Sequence, residues 1–195
     1  MTIKKVKCDE ILNDVLIIEP NIFEDFRGEY IETFNKQEYE QFIPKLKTFE
    51  FVQDNASFSQ YGTLRGLHGD GNTWKLIQCL YGKIFIAIIC ADPDSKDYLK
   101  HTEITLTDKT RNQILIPPKY ANGHICLSDS CIFSYKQSTY YEDQKQFTIR
   151  WNSKRFSIKW PIDPILLSKR DQFGPFADLP LLGENTDDSK GQWYF

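Results

Sequence analysis

Short apolar and aromatic runs alternate with turn signals along most of the chain. The runs are four to eight residues long and rich in β-branched and aromatic residues, a composition that favours strands. They lie at 15–20, 29–34, 50–54, 76–80, 83–90, 103–106, 113–116, 123–127 and 131–136. Only Lys36–Phe42 has the pattern of a helix. The chain therefore predicts many antiparallel strands in a sandwich or closed roll.

Turn signals separate these runs. Tyr81-Gly82 predicts a hairpin turn between the runs on either side, and 92–95 and Pro117-Pro118 are typical of loops. Because no repeat, low-complexity tract or linker divides the 195 residues, we expect a single domain over 1–195. A roll of two sheets leaves a cavity between them, and such cavities hold small ligands.

Charge and hydropathy narrow the class of partner. The formal net charge is -3 and the isoelectric point is near 5.7, which argues against binding to nucleic acid or an anionic membrane. A small anionic substrate is compatible with this balance, because a few clustered arginines act locally. No apolar run approaches the roughly 20 residues of a membrane helix, and 1–8 lacks the apolar stretch of a signal peptide. We therefore expect a cytoplasmic protein.

Cysteine and histidine usage bears on metal and redox chemistry. The five cysteines include no C-x-x-C pair, which favours reduced, mostly buried thiols over disulfides or zinc ligands. A metal-dependent roll needs two or three histidines and a carboxylate, yet the chain has only three histidines. His68 is followed by Gly69 and Asp70, so no His-x-His pair exists. We expect no metal site.

The three histidines have structural interpretations on spacing alone. Arg65 and His68 are three positions apart, which puts them on opposite faces of a strand unless Gly66 bends the chain. That spacing favours a His68 that is hydrogen-bonded in a wall of the roll over a catalytic one. His101 lies among polar residues and is expected to be exposed. His124 lies beside apolar residues and is expected in the core or a cavity wall.

Considered together, several segments resemble one family, the dTDP-4-dehydrorhamnose 3,5-epimerases, a branch of the cupin-like jelly rolls. They run in the family's order over about residues 10–175: Asp25-Phe-Arg-Gly28 with Glu32, Gln53-Asp-Asn55 with Ser57, Gly62-Thr-Leu-Arg-Gly-Leu-His68, Lys75-Leu76, Ile116-Pro-Pro118, Phe133-Ser-Tyr-Lys136 with Tyr140-Tyr141, Ile149-Arg-Trp-Asn152 and Leu167-Ser-Lys-Arg-Asp171. The resemblance implies an all-β, cupin-type β-jelly roll with a few short helices.

The resemblance also implies a reaction, proton transfer at carbon beside the C4 ketone of a nucleoside-diphosphate sugar. A base must contact the weakly acidic C–H, and the enolate must be stabilised as charge appears on oxygen. By this resemblance His68 is the base, oriented by Asp171, and Lys75 lies near the C4 oxygen. Tyr135 is the acid that returns a proton from the opposite face. No cofactor is implied.

The same resemblance places further residues around the nucleotide-sugar substrate. They are Arg27, Glu32, Gln53, Asn55 and Arg65. Arg27 and Arg65 suit the diphosphate, because a guanidinium fork matches phosphate oxygens. Family members are dimers whose N-terminal strands reach into the partner's sheet, so we expect a homodimer.

Three departures from the family pattern concern the substrate. Asn122 stands where the family has a substrate-contacting histidine, and His124 is expected on the same strand face two positions later. We count both as substrate-binding candidates. The loop 69–74 is shorter than usual, with Trp74 where glycine is common. Gln146 falls near the position of a substrate-contacting glutamate.

The segment from His68 to Lys75 resembles epimerases that act on GDP-4-keto-heptoses in capsule synthesis, which makes such a sugar the favoured substrate. The first alternative is a dTDP-4-keto-6-deoxyglucose 3,5-epimerase or 3-epimerase. A 3,4-ketoisomerase on a similar roll is the second, although the segments 133–136 and 167–171 favour an epimerase. A non-catalytic sugar- or nucleotide-binding roll is the third, and it would need no acid and base together. A metal-dependent oxygenase has the least support.

Overall fold

The fold consists mainly of β-strands, as predicted. The computed structural model describes residues 2–177. Within them the strands are β1 (Ile3–Cys8), β2 (Leu16–Pro20), β3 (Phe23–Asp25), β4 (Gly28–Tyr30), β5 (Gln53–Gln60), β6 (Leu64–Asp70), β7 (Lys75–Tyr81), β8 (Lys83–Cys90), β9 (His101–Thr107), β10 (Gln113–Ile116), β11 (Tyr120–Cys126), β12 (Ser130–Gln137) and β13 (Gln146–Thr148). The prediction of one domain over 1–195 stays a prediction, because 178–195 lie outside the described residues.

Two antiparallel sheets face each other and form the roll. The six-stranded sheet has the order β1-β2-β10-β7-β12-β5, and the five-stranded sheet has the order β13-β6-β11-β8-β9. Strands β3 and β4 form a separate hairpin. Strands from distant parts of the chain are neighbours in both sheets, so both walls of the roll combine segments far apart in sequence.

Apolar side chains from both sheets fill part of the interior. Ile84, Ile86 and Ile88 of β8 are completely buried against Ile77 of β7 and Ile114 of β10. Each buried isoleucine contributes roughly 1.5–3 kcal/mol relative to an exposed one. Strand β8 is buried from its second residue to its last, which explains its unbroken apolar sequence. This core holds the two walls apart and leaves room for a cavity beside it.

The helices are short. Helix α1 spans Lys36–Phe42, the predicted bounds, and Asn35 caps it by accepting from the Glu38 backbone N–H. Helix α2 spans Lys169–Phe173 and was not predicted, because five residues show no helical period. Two 3-10 turns lie at Pro44–Thr48 and Asp143–Lys145. Within 2–177 no helix is long and apolar enough to cross a membrane.

The hairpin prediction at Tyr81-Gly82 is wrong. Strands β7 and β8 belong to different sheets, so the turn carries the chain from one wall of the roll to the other. Gly82 has a positive φ of 79°, and its N–H donates to Asp108 Oδ2 at 2.8 Å. A turn signal in the sequence is the same whether the two strands on either side of it pair with each other or join different sheets. The sequence pattern therefore predicted the turn but not the pairing.

Other element predictions differ in their bounds. The run at 29–34 continues as strand only to Tyr30, and Phe34 instead packs into the core cluster beside helix α1. The run at 50–54 enters strand only at Gln53. The expectation of free, mostly buried cysteines is confirmed: all five are unbridged, and only Cys8 is exposed.

Candidate active site

A cavity of about 460 Å³ lies between the two sheets and is bordered by helix α2. Its lining is predominantly polar, in contrast to the core beside it. The lining residues are Gln53, Asn55, Ser57, Arg65, His68, Lys75, Ile77, Asn122, His124, Phe133, Tyr135, Gln137, Tyr141, Gln146, Ser168, Arg170 and Asp171. Nine of the eleven predicted site residues are among them, and the exceptions are Arg27 and Glu32.

A bulge in β6 brings Arg65 and His68 to the same side of the strand. His68 pairs with Asn122 of β11 and Arg65 pairs with His124, so β6 has one more residue than its neighbour over this stretch. Gly66 in the bulge has a φ of 123°, and a Cβ there would lie 2.4 Å from the Gly123 Cα. Only glycine fits this close backbone approach. The expectation that spacing alone puts Arg65 and His68 on opposite faces therefore fails, because Gly66 bends the chain.

His68 forms a dyad with Asp171. The His68 Nε2 lies 2.7 Å from Asp171 Oδ1, and the carboxylate is almost completely buried while the imidazole is 30 % exposed. Ser168, the cap of α2, donates from its hydroxyl to Asp171 Oδ2 at 2.9 Å. Burial alone would raise the pKa of Asp171, but the His68 contact and the Ser168 hydrogen bond hold it below its ordinary value. An ionised Asp171 therefore orients the imidazole toward the cavity.

Lys75 begins β7 and is buried beside this dyad. Its Nζ lies 3.5 Å from the His68 carbonyl oxygen and 3.4 Å from Asn122 Oδ1, both long contacts. Within the described residues it forms no ion pair. Burial lowers the pKa of Lys75, and the charge of Asp70 opposes that effect. The amine is thus placed to donate to an oxygen in the cavity.

Tyr135 lies on the opposite wall, on β12 of the six-stranded sheet, whereas His68 belongs to the five-stranded sheet. Burial is the main cause of the raised pKa of Tyr135, with a smaller effect from Tyr141. The phenol therefore keeps its proton at neutral pH and can act as a donor. A protonated phenol and an imidazole consequently face one cavity from two sides.

Three buried polar atoms of the cavity wall have no hydrogen-bond partner within the described residues. They are His124 Nε2, Asn55 Nδ2 and Ser57 Oγ. The His124 ring stacks on Phe133 at a centroid distance of 4.1 Å, and burial lowers its pKa to about 3, so it stays neutral. A buried polar atom without a partner costs roughly 1–3 kcal/mol. Such atoms in a cavity wall are poised to be satisfied by a ligand.

The structure does not bring Arg27 and Glu32 to this cavity within one chain. Arg27 lies in the exposed turn of the β3–β4 hairpin and pairs with Asp25 at 2.6 Å. Glu32 accepts hydrogen bonds from the hydroxyl of Thr2 and from Asn35. Their predicted contact with substrate stays a prediction, because neither side chain lines the cavity.

Sequence reasoning missed several lining residues. Arg170 donates from Nε to Thr148 Oγ1 at 2.8 Å and faces the cavity beside Asp171. The sequence could have indicated Arg170, because it stands in the same motif as Asp171. Tyr141 also had a signal, because it stands with Tyr140 in a motif of the family. Gln137 had none, because it ends strand β12 with no distinctive pattern. Within 2–177, no three His, Cys, Asp or Glu side chains are grouped so as to hold a metal ion.

Comparison with known proteins decides the family. A family model described as dTDP-4-dehydrorhamnose 3,5-epimerase matches residues 9–178. The dTDP-4-dehydrorhamnose 3,5-epimerase of Salmonella typhimurium is 35 % identical over 175 residues, which cover 88 % of this chain and 94 % of the relative. The chain belongs to the dTDP-4-dehydrorhamnose 3,5-epimerase family.

Solved structures of this epimerase family agree with the fold. The dTDP-4-dehydrorhamnose 3,5-epimerase of Bacillus anthracis, solved with TDP and PPi bound, has a TM-score of 0.80 at 34 % identity and covers 88 % of this chain and 98 % of that one. The Legionella pneumophila enzyme in complex with dTDP-4-keto-L-rhamnose has a TM-score of 0.80 at 32 % identity, covering 86 % and 89 %. The predictions of a cupin-type jelly roll and of an isomerase of the epimerase class are confirmed.

Proposed function

We propose that this chain epimerises a dTDP-linked 4-keto-6-deoxyhexose at C3 and C5, with His68 as base and Tyr135 as acid. Membership of the family makes it an epimerase of nucleotide-4-keto sugars; the sugar, the carbons and the residue roles are the proposal. One observation carries it. His68 and Tyr135 face a single cavity from opposite sheets, and Lys75 lies beside the base.

The first step is removal of a proton from carbon beside the C4 ketone. His68 takes the proton, and the buried Asp171 carboxylate stabilises the imidazolium that forms. A base positioned in this way contributes about 10²–10⁴-fold to the rate. The dyad supports this role because the carboxylate is fixed by Ser168 and cannot turn away.

The second requirement is stabilisation of the enolate. Charge develops on the C4 oxygen, and a donor that is already in place stabilises it without reorganisation. The Lys75 amine meets this need, because its present contacts are long and no carboxylate competes for it within the described residues. Asn122, which lies against Lys75, helps to fix the position of the amine.

The last step returns a proton from the other face of the sugar. Tyr135 stands on the opposite wall with a protonated phenol, and donation from that side inverts the carbon. Return from the His68 side would restore the original stereochemistry. A proton donor on the wall opposite the base therefore distinguishes an epimerase from a site that only exchanges a proton.

The remaining predicted substrate-binding residues suit the nucleotide part of the substrate. Arg65 supplies positive charge to the cavity, and the unpartnered atoms of Asn55, Ser57 and His124 supply hydrogen bonds. A diphosphate or sugar oxygen bound there would satisfy these atoms. The number of buried polar atoms left open supports a highly oxygenated ligand.

A homodimer is part of the proposal. The β3–β4 hairpin exposes three aromatic side chains, Phe23, Phe26 and Tyr30, and Phe26 is 98 % exposed. Apolar rings grouped in this way are typical of an interaction surface. If the hairpin docked on a second copy, it would carry Arg27 toward the cavity of that copy. This arrangement would explain why Arg27 does not line the cavity of its own chain.

A GDP-4-keto-heptose, the substrate favoured by the sequence, becomes the second candidate. The relatives named above are dTDP-sugar epimerases, which favours the dTDP alternative. Two observations keep the heptose in the test: Asn122 lines the cavity where the family has histidine, and the short loop 69–74 borders Lys75. Either change can alter the room beside the sugar ring.

The test is incubation of the full chain with each nucleotide sugar in deuterated water, followed by NMR of the product. The proposal predicts deuterium at C3 and C5 of dTDP-4-keto-6-deoxyglucose with inversion at both carbons. Turnover of only the GDP-4-keto-heptose would move the substrate to the second candidate. A product whose keto group has moved to C3 would show a ketoisomerase, and absence of exchange with both sugars would refute the epimerase mechanism.

A further inference from the structure

Lys75 is a buried amine with charged groups of both signs around it. The titratable groups around it are Asp70 and His68 on β6, Tyr135 on β12, and Arg170 and Asp171 on α2. Asp171 is already engaged with His68. Arg170 lowers the pKa of Lys75 and so does burial, whereas Asp70 raises it. Asp70 is therefore the carboxylate that favours the charged form of Lys75.

Asp70 is also the anchor of the turn that leads to Lys75. Its Oδ1 accepts from the backbone N–H groups of Asn72 at 2.9 Å and Thr73 at 2.7 Å. Its Oδ2 accepts from Gln146 Nε2 at 3.0 Å. The side chain is buried, yet these contacts and the charge of Lys75 hold its pKa below the ordinary value despite burial. A buried, ionised carboxylate thus fixes the four residues that join β6 to β7.

We propose that Asp70 is a positioning residue for epimerisation, holding the 71–74 turn that places Lys75 and supplying a negative charge that favours the charged form of its amine. The catalytic part rests on the proposed role of Lys75 at the enolate. A neutral amine is a much weaker donor to an oxyanion than an ammonium. Asp70 itself does not line the cavity and touches no reacting atom.

The sign of the effect follows from the charges. Removing the carboxylate leaves burial and Arg170 unopposed, so Lys75 loses its proton at a lower pH. The loss of an opposite charge that acts on a buried group moves the pKa of that group by about one unit or more. We therefore expect the titration midpoint of Lys75 to fall by about one pH unit when the charge of Asp70 is removed.

The experiment titrates the lysine side chains of the ligand-free protein by ¹³C NMR at Cε, with the Lys75 signal assigned from its loss in Lys75→Arg. Asp70→Asn removes the charge and keeps an oxygen for the turn. Gln146 can reverse its amide to accept from the side-chain N–H₂ that this substitution introduces. Asp94→Asn is the matched control, because Asp94 is an exposed carboxylate that pairs with Lys119, and it should leave the Lys75 midpoint unchanged.

A second substitution tests whether charge is the cause. The Gln146 amide lies 3.0 Å from Asp70 Oδ2, so Gln146→Glu puts a carboxylate at the same place from the neighbouring strand. The double variant Asp70→Asn/Gln146→Glu should return the Lys75 midpoint toward wild type. A purely structural role of Asp70 would not be rescued in this way.

Activity provides the second readout. The fall of kcat/KM at alkaline pH should follow the Lys75 midpoint in each variant. At pH values above that midpoint, kcat/KM of Asp70→Asn should be roughly tenfold lower than that of the wild type. If Asp70→Asn does not fold, Asp70→Ser replaces it, because it too removes the charge and keeps an acceptor. An unchanged midpoint in the folded single variant overturns the proposal. The NMR titration needs no substrate, so it stands or falls independently of the epimerase assignment.

Discussion

At the scale of single residues, His68 shows how much of a site local sequence can predict. Its spacing from Arg65 favoured a wall residue, and the family motifs were needed to suggest a base. The structure explains the discrepancy, because the bulge at Gly66 adds one residue to β6 and turns both side chains into the cavity. Asp171 could be named from its motif, but its burial and its 2.7 Å contact required the fold.

Tyr135 provides the first residue-scale prediction. Tyr135→Phe removes the proposed acid and leaves the base in place, so exchange of a proton at carbon should persist while inversion falls by about 10²-fold or more. Deuterium content and stereochemistry of the product, measured together by NMR, separate the two. Tyr140→Phe is the matched control, because Tyr140 is 72 % exposed. Equal loss of exchange and inversion would remove Tyr135 from the role of acid.

His124 gives a prediction in which stability and binding change in opposite directions. His124→Phe removes a buried nitrogen that has no partner within the described residues, so the free energy of unfolding should rise by about 1 kcal/mol. The same change should weaken nucleotide-sugar binding about three- to tenfold, because one hydrogen bond to the ligand is lost. Urea denaturation and calorimetric titration check the two effects. Unchanged affinity would mean that His124 does not contact the ligand.

The pH dependence of stability gives a further check on His124. In the folded protein its pKa is about 3, compared with an ordinary value of 6.5. As the pH falls from about 6.5 toward 3, the unfolded chain takes up a proton that the folded chain does not, so stability is lost with falling pH. His124→Phe should reduce that acid loss. An unchanged slope between pH 6.5 and 3 would contradict a buried, neutral His124.

At the scale of elements, strands with unbroken apolar runs were the easiest to predict. Strands β8 and β10 have the predicted bounds because both faces of each are buried. Strand β6 did not appear among the apolar runs, since its two glycines and polar residues serve the site and not the core. Helix α2 was missed because it is too short to show a period, although it carries Asp171.

The bulge in β6 supports an element-scale prediction. Gly66→Ala places a Cβ 2.4 Å from the Gly123 Cα at a φ of 123°, so it should destabilise the fold by about 2 kcal/mol or more and reduce activity. Gly28→Ala is the matched control, since Gly28 has a φ of 126° but nothing among the described residues lies within 4 Å of its Cβ. Urea denaturation compares them, and equal losses would show that the backbone angle alone matters.

At the scale of the whole molecule, the sequence predicted the roll but not that two of the candidate site residues lie outside its cavity. The jelly roll and its cavity follow from strand patterns and the family motifs. The positions of Arg27 and Glu32 outside that cavity could not be predicted from the sequence. A sequence motif is the same whether its residues act in their own chain or in a partner. The exposed aromatic side chains of the β3–β4 hairpin support the proposal that a second copy completes the site.

Complementation between two inactive variants tests the dimer. Arg27→Ala and His68→Asn should each reduce activity strongly in separate homodimers. After mixing and subunit exchange, one site of the heterodimer combines an intact His68 with the partner's intact Arg27, so activity should reappear. Turnover of the mixture is measured against the sum of the two separate proteins. No gain, with exchange confirmed by mass spectrometry, would mean that Arg27 acts within its own chain or not at all.

Every step of the proposed reaction depends on His68 as the base. The most direct measurement follows deuterium incorporation from solvent into dTDP-4-keto-6-deoxyglucose by the wild-type chain, by His68→Asn and by His101→Asn. His101 lies outside the cavity and pairs with Glu103 at 3.5 Å, so its variant is the matched control. We predict incorporation at C3 and C5 with the wild type and His101→Asn, and a loss of at least about 10²-fold at both carbons with His68→Asn. Incorporation by His68→Asn at the wild-type rate would contradict a catalytic base at His68.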